Sequence, residues 1–412
     1  MRVSPAAVLS GLLCFALPAC NSGGSSGGGG SPPNPPSGTT ITFSVTGNGA
    51  SAAAAKIGTG AWASLTLSGN AATFTLPNGT STYGVAIVCD SIFEFIELLS
   101  TSDTTTPSIN CPVSGTTATS VSYDVSQIPG ATSAHIYVGN AASFQNSVAG
   151  AATFNDAPSG TQDLAAIAFG AGATDALAVK IQRGVTVTSA LGPLTALNNT
   201  DTTSTATVAL AGVPSGFNTQ VNAWYITKGG AQLTIKDAGS TATYPTVAAA
   251  DTQSGDYYYL QTFATNTSGS SLSQVGTSQT FSSAQNVSLT FPAPLTYSAP
   301  AAAQYPTFAV PSYNGFTISG STAFIFGAFA PMQNEIIVGT TSSYLSTVGN
   351  SLAFPNLSSL PGFLSEPASG HAEDWMAQVF SSTVAGNYLF QLPFPNNAMQ
   401  QYALASGQFT VP

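Results

Sequence analysis

The sequence predicts an all-β protein built from tandem antiparallel β-sandwiches. Apolar and polar residues alternate in short runs, as in Trp62 to Ser68 and Tyr83 to Cys89, and turn residues such as Pro77-Asn78-Gly79 separate the runs. The runs recur at roughly 8 to 12 residue spacing without helical patterns between them, which favours antiparallel sandwiches over a parallel α/β sheet.

The composition indicates an exported protein with several cores. Only 5% of the 412 residues are charged and 43% are hydrophobic, whereas typical soluble domains contain about 25% charged residues. The formal net charge of -10, with 6 Lys and Arg, argues against a nucleic-acid partner and against electrostatic attachment to anionic lipid.

The chain begins with a segment that predicts export. Arg2 precedes the apolar run Pro5 to Ala16, which is too short to span a bilayer of about 30 Å. Residues 1–19 are therefore predicted to be a signal peptide.

The end of this segment, Leu17-Pro18-Ala19-Cys20, resembles the lipobox of bacterial lipoproteins. The resemblance implies that Cys20 is diacylglycerol-modified and becomes an acylated amino terminus after cleavage. Asn21 stands where Asp would retain a Gram-negative lipoprotein in the inner membrane, so the resemblance implies an outer-membrane anchor, with the periplasmic or surface side left open. The alternative is a plain signal peptide with an incidental Cys.

A flexible tether is predicted to follow the anchor. Residues 20–40 are nearly all Gly, Ser, Pro, Asn and Thr after Cys20, and a coil of this length spans roughly 25 Å. Several acyl chains, at about 0.8 kcal/mol for each buried methylene, make such anchoring stable. The membrane is therefore the predicted partner, reached through the lipid.

The remaining chain is predicted to form four β-rich units. Their ranges are 41–115, 116–203, 204–295 and 296–412. Two turns that lead into strands, Ser159-Gly160-Thr161 and Ser254-Gly255-Asp256, resemble the Gly-led strand of immunoglobulin-like and transthyretin-like bacterial surface modules. The resemblance implies immunoglobulin-like sandwiches, and whether the four units are homologous is left open.

Cysteine usage predicts one disulfide bond. Cys14 leaves with the signal peptide and Cys20 carries the lipid, so Cys89 and Cys111 remain as a pair. A zinc site would need further Cys or His residues nearby. Closing this loop of about 22 residues would stabilise the first unit by roughly 3 kcal/mol.

The sequence assigns no catalytic residue, cofactor or metal ligand. The G-x-S-x-G match at Gly24 to Gly28 lies in the tether, where no strained strand-to-helix elbow forms. His135 shares a strand face with Tyr137 and is predicted to be a surface or structural residue. The run Ser369 to Ala377, with His371, is predicted to be a short surface helix, and the alternative is a metal or acid–base site.

Acidic residues between the two cysteines give another candidate site. Asp90, Glu94, Glu97 and Asp103 are predicted to form a solvated acidic edge, with Glu94 and Glu97 on opposite strand faces. The alternative is a calcium site, if the loop brings their oxygens together. Glycoside hydrolysis by two carboxylates also stays open, since it needs no His.

Aromatic residues offer a possible binding surface. Trp62, Trp224, Tyr225 and Tyr257-Tyr258-Tyr259 place rings on both faces of their strands. The favoured interpretation is that one face fills a core and the other covers an inter-domain contact. The alternative is exposed anchors for sugars or protein partners.

Two classes of function follow. The first is a non-enzymatic, lipid-anchored envelope protein whose sandwiches bind or scaffold a glycan or another envelope protein. The alternative is a secreted, membrane-anchored hydrolase acting on polysaccharide or ester substrates. A cleft that gathers several acidic residues and a histidine would favour the enzyme, and flat faces would favour binding. The residues in question are Glu335, Glu366, His371, Glu373 and Asp374.

Overall fold

The computed structural model describes residues 38–46, 50–89, 93–111, 117–330, 334–384 and 398–412. These residues form 26 strands, one short α-helix and two 3₁₀ turns. Most strand pairs are antiparallel, so the predicted all-β fold class is confirmed.

One twelve-stranded sheet runs through the molecule. In spatial order its strands are β16 (Gln232–Gly239), β15 (Asn218–Ile226), β18 (Tyr257–Ser268), β19 (Ser271–Phe281), β26 (Met399–Thr410), β25 (Ala372–Ser382), β22 (Ser321–Ala330), β23 (Asn334–Thr341), β6 (Phe93–Ser100), β5 (Thr82–Cys89), β2 (Ala50–Ile57) and β3 (Trp62–Leu65). All of its pairings are antiparallel except β23 with β6, which is parallel.

This sheet joins strands that are far apart in the sequence. β19 pairs with β26 from Leu272↔Ser406 to Gln279↔Met399, and β23 pairs with β6 from Glu335↔Phe93 to Thr340↔Leu98. Strands from the predicted ranges 41–115, 204–295 and 296–412 therefore lie in the same sheet.

The range 116–203 forms a two-layer sandwich with a core of its own. One layer has the order β10 (Ala141–Gln145), β9 (Ala131–Val138), β12 (Thr161–Gly170) and β13 (Ala176–Thr186), and the other pairs β11 (Ala149–Ala157) with β8 (Thr117–Asp124). Its core includes Val121, Ile136 and Ala166, all buried, and draws no residue from outside the range.

Short sheets cover the faces of the large one. They are β4 (Ala71–Pro77) with β1 (Gly38–Thr46) and β7 (Ser108–Asn110), β17 (Thr243–Thr246) with β14 (Ser204–Ala211) and β20 (Val287–Thr290), and β21 (Thr307–Ala309) with β24 (Ser351–Ala353). The helix α1 (Ser342–Val348) begins after Thr341, whose side chain accepts a hydrogen bond from Tyr344 N. The 3₁₀ turns are Asn199–Asp201 and Ala249–Asp251.

The central strands are buried on both faces. On β6, Ile96 and Leu98 pack into one hydrophobic cluster, while Phe95 and Leu99 pack into another. Because side chains alternate along a strand, any polar residue on β6 must also enter one of these two cores.

Aromatic rings lie over glycines of other strands in the sheet. A Cβ added to Gly276 would lie 2.1 Å from the ring of Tyr402, which is opposite it in the β19–β26 ladder. The ring of Trp62 on β3 reaches across β2 and covers Gly84 on β5. The absence of a side chain at these glycines leaves the space that the rings fill.

The predicted helix over Ser369 to Ala377 is wrong, because most of this run lies in strand β25. Glu373 and Trp375 are buried on one face, and β25 has hydrogen-bonded neighbours, β22 and β26, on both sides. The alternation of side chains along β25 and its pairing with a strand on each side therefore outweigh the residues that locally favour a helix.

The predicted disulfide bond between Cys89 and Cys111 is present, with a Cα–Cα distance of 5.3 Å. It links the end of β5 to the residue after β7. Cys20 lies outside the described residues. Within the described ranges, no helix is both long and apolar enough to cross a membrane.

Candidate functional site

The acidic residues between the two cysteines do not form a solvated edge. Glu94 and Glu97 lie on β6, where each is 1% exposed, so the prediction is wrong for both. β5 and β23 flank β6, and the two cores exclude water from its faces. Asp103 is half-buried and accepts a hydrogen bond from Ser100 N at 2.8 Å. Asp90 lies outside the described residues.

Alternation along β6 places Glu94 and Glu97 on opposite faces of the sheet, as the sequence predicted. Glu94 shares its face with Ile96 and Glu97 shares its face with Phe95. Calcium ligands must converge on one ion, which opposite faces prevent. In the part of the chain that the structure describes, no group of three or more His, Cys, Asp or Glu residues could hold a metal ion.

Burial changes the acid–base properties of these glutamates. Desolvation raises the pKa of Glu97 to about 8. It also raises the pKa of Glu94 to about 7, against a smaller opposing effect of the hydrogen bond from Leu364 N. Burial likewise raises the pKa of Glu373 to about 7. Carboxyl groups with a pKa near neutrality are suited to proton transfer.

Three glutamates from distant parts of the chain surround Tyr305, and we call these four residues the acid–tyrosine cluster. The pKa of Tyr305 is raised to about 12, first by burial and then by the charges of Glu366, Glu94 and Glu373, while a hydrogen bond with Ser358 opposes the shift. The cluster is therefore a place where acidic groups meet a hydroxyl on one face of the sheet.

The segment between β24 and β25 completes this cluster. Asn356 Nδ2 donates to Glu366 Oε1 at 2.8 Å, which holds Glu366 at the surface. Leu364 N donates to Glu94 Oε2 at 3.4 Å, which covers Glu94. The second oxygen of Glu94, Oε1, and Oε2 of Glu373 have no hydrogen-bond partner among the described residues.

Of the five residues predicted to mark an enzymatic cleft, Glu366 and Glu373 join the acid–tyrosine cluster. Alternation places Glu335 and Asp374 on the opposite face of the sheet. His371 is exposed and precedes β25. The five residues therefore do not gather in one cleft.

His135 lies on β9 between two aromatic rings. Its ring centroid is 4.4 Å from that of Phe144 and 4.3 Å from that of Phe169. Burial lowers the pKa of His135 to about 4, so the imidazole is neutral at physiological pH. Nδ1 has no hydrogen-bond partner among the described residues. These contacts give the histidine a packing role.

The aromatic residues of β15 and β18 fill both faces of the sheet. Trp224 stacks on Tyr259 with ring centroids 5.2 Å apart, and Tyr225 meets Tyr258 at 5.0 Å on the other face. None of the four is more than 8% exposed. The Tyr225 face packs against residues of the range 116–203, including Ile167. The favoured interpretation is confirmed for these rings, and the alternative of exposed anchors is wrong for them.

Cationic side chains fix the range 116–203 to the range 204–295, which sequence reasoning missed. The pairs that join the two ranges are Arg183 Nη2 with Asp256 Oδ2 at 2.6 Å, Lys180 Nζ with Asp251 Oδ1 at 3.4 Å, and Lys236 Nζ with Asp175 Oδ1 at 2.5 Å. The partners lie 61 to 73 residues apart, so no local spacing in the sequence could reveal them.

No protein-family model matches this sequence, and no curated protein is a significant match to it.

Proposed function

We propose that this protein is a lipid-anchored component of the bacterial cell envelope, held in the outer membrane through Cys20. Its tandem β-sandwich body binds or scaffolds a glycan or another envelope protein and catalyses no reaction. The lipobox-like Leu17 to Cys20 and the Gly-, Ser- and Pro-rich residues 20–37, which precede β1, support the anchor.

One observation carries the scaffolding role. The twelve-stranded sheet joins three ranges of the chain, and ion pairs fix the range 116–203 to the sheet-forming range 204–295. Domains joined by small interfaces usually move relative to one another. A continuous sheet instead holds its surfaces at fixed distances, which is what a protein that positions other molecules requires.

Substitution of Cys20 tests the anchor. Cys20→Ser should release the protein from the membrane fraction or block its maturation, and should abolish labelling by a fatty-acid probe. Cys14→Ser is the matched control, because Cys14 lies in the predicted signal peptide, and it should leave labelling intact. Unchanged membrane retention and normal processing of Cys20→Ser would refute the anchor.

Binding is tested on the intact lipoprotein. Chemical crosslinking in whole cells should recover an envelope protein, or the detergent-purified protein should be retained by isolated envelope polysaccharide. If neither occurs, the binding role is refuted.

A second candidate function, a hydrolase of polysaccharide or ester substrates, is favoured by the acid–tyrosine cluster. Glu94 and Glu373 have pKa values of about 7, as a general acid requires. Burial alone raises the pKa of Glu373. In a close carboxylate pair, the charge of the second carboxylate would also raise this pKa, so Glu373 does not behave as a member of such a pair. If Glu373→Gln abolishes a hydrolytic activity of the protein and Asp374→Asn preserves it, the protein is a hydrolase. That result would replace the proposed binding role.

A further inference from the structure

The junction between β6 and β23 concentrates buried acidic groups. It is the parallel pairing of the twelve-stranded sheet and links β2, β3, β5 and β6 to the remaining eight strands. Glu94 and Glu97 lie on β6, where each is 1% exposed. Glu335 lies on the neighbouring strand, β23, and is half-buried. Three of the five glutamates in the sequence therefore lie on two neighbouring strands.

Four of the six carboxyl oxygens of these glutamates are buried without a hydrogen-bond partner among the described residues. Glu94 Oε1, both oxygens of Glu97 and Glu335 Oε2 are buried and have no partner among the described residues. Glu94 Oε2 accepts a hydrogen bond from Leu364 N at 3.4 Å. Buried charges without partners are costly, so the closed junction favours the neutral, protonated groups.

The titratable groups that face these glutamates are acids and tyrosines. Glu97 faces Tyr83 of β5. Burial raises the pKa of Tyr83, and the charges of Glu97 and Asp103 raise it further. Glu94 faces Tyr305, which completes the acid–tyrosine cluster with Glu366 and Glu373. Among the described residues, burial alone accounts for the raised pKa of Glu335. The ion pairs of the described residues all use aspartates, so no cation neutralises the junction within that part of the chain.

We propose that the β6–β23 junction is a pH-operated joint, closed while its three glutamates are protonated and opened in alkaline solution. The pairing holds together the two cores that cover these side chains, so opening it together with the adjoining core contacts gives all three carboxylates access to water. Other contacts hold the closed form, since Thr340 Oγ1 donates to Leu98 O at 3.0 Å and both hydrophobic cores cross the junction.

The direction of the pH dependence follows from burial. It raises the pKa of Glu97 from 4.5 to about 8 and the pKa values of Glu94 and Glu335 to about 7. The closed form therefore binds protons more tightly than a form that exposes the groups to water. Its stabilisation is complete below about pH 4.5 and is lost as the pH rises through 7 to 8.

Hydrogen exchange of the full-length protein tests the joint. Between pH 5 and pH 9, amides of β6 and β23 should lose protection by at least about tenfold relative to those of β18 and β19, after correction for intrinsic rates. The triple variant Glu94→Gln/Glu97→Gln/Glu335→Gln should keep the protection. Asp237→Asn, at an exposed aspartate of β16 on the edge of the sheet away from the junction, should lose it as the wild type does.

Three outcomes would overturn the proposal. They are unchanged protection of β6 between the two pH values, an equal loss in the triple variant, and an equal loss throughout the sheet. A second measurement needs no variant: the assigned carboxyl carbon-13 resonances of Glu94, Glu97 and Glu335 in the wild-type protein should each show a midpoint near pH 7 to 8. Midpoints all below about pH 5 would also overturn it.

Discussion

Removal of the Cys89–Cys111 disulfide tests how the ranges of this chain depend on one another. Both sulfurs belong to fully buried residues, and their cluster includes Leu272, Ile337 and Met376 from outside the range 41–115. The double substitution Cys89→Ala/Cys111→Ala therefore opens a loop and also loosens a core that several ranges share.

The expected loss of stability has two parts. The cysteines lie 22 residues apart, and opening such a loop costs about 3 kcal/mol on the chain-entropy model. Removing two buried sulfur atoms adds roughly 1 kcal/mol through lost packing. The total of about 4 kcal/mol corresponds to a decrease in Tm of roughly 10 °C for a unit of 150 to 250 residues.

The sequence alone predicts that this loss is confined to the first unit. Because β6 pairs with β23 and β19 pairs with β26, we now expect the transition that contains the whole twelve-stranded sheet to shift. A transition of the range 116–203, which has its own core, should move least. Differential scanning calorimetry of the wild type and the double variant makes this comparison, with reduced wild type as the control.

Two results would refute the reasoning. A shift confined to a small transition of residues 41–111 would show that the shared sheet does not couple the ranges. Free thiols at Cys89 and Cys111, found by mass spectrometry of unreduced peptides from the envelope, would refute the disulfide itself.

Substitutions at one ion pair and at one glycine of the sheet test the packing. Asp175→Asn should destabilise the protein by about 2 to 3 kcal/mol in urea unfolding, because it leaves the ammonium of Lys236, whose side chain is 0% exposed, without its counter-ion. Lys236→Met should cost less than about 1 kcal/mol, since Asp175 is 36% exposed and water can solvate it; equal costs would contradict this account. Gly276→Ala should cost at least about 2 kcal/mol because its Cβ would collide with Tyr402, and Gly276→Ala/Tyr402→Leu should recover part of that loss. A cost below about 0.5 kcal/mol for Gly276→Ala would show that the ring moves aside freely.

Some features of the candidate site were predictable because they depend on local geometry. Glu94 and Glu97 are three positions apart, and a period of two places them on opposite faces of any strand. Their burial was not predictable, because it depends on β23 and on two cores assembled from distant residues. For the same reason, the sequence did not associate Tyr305 with Glu94, which is more than two hundred positions away in the chain.

The sequence by itself determined the all-β class and the pairing of Cys89 with Cys111, because alternation and cysteine number are local or countable properties. The tertiary structure decided which strands share a sheet and which acids lose contact with water. Hydrogen bonds between strands join backbone groups that every residue has, so the sequence carries only a weak signal for distant partners such as β6 and β23. The strand at Ala372–Ser382 illustrates this limit, because its local residues favoured a helix and its two neighbouring strands made it part of the sheet.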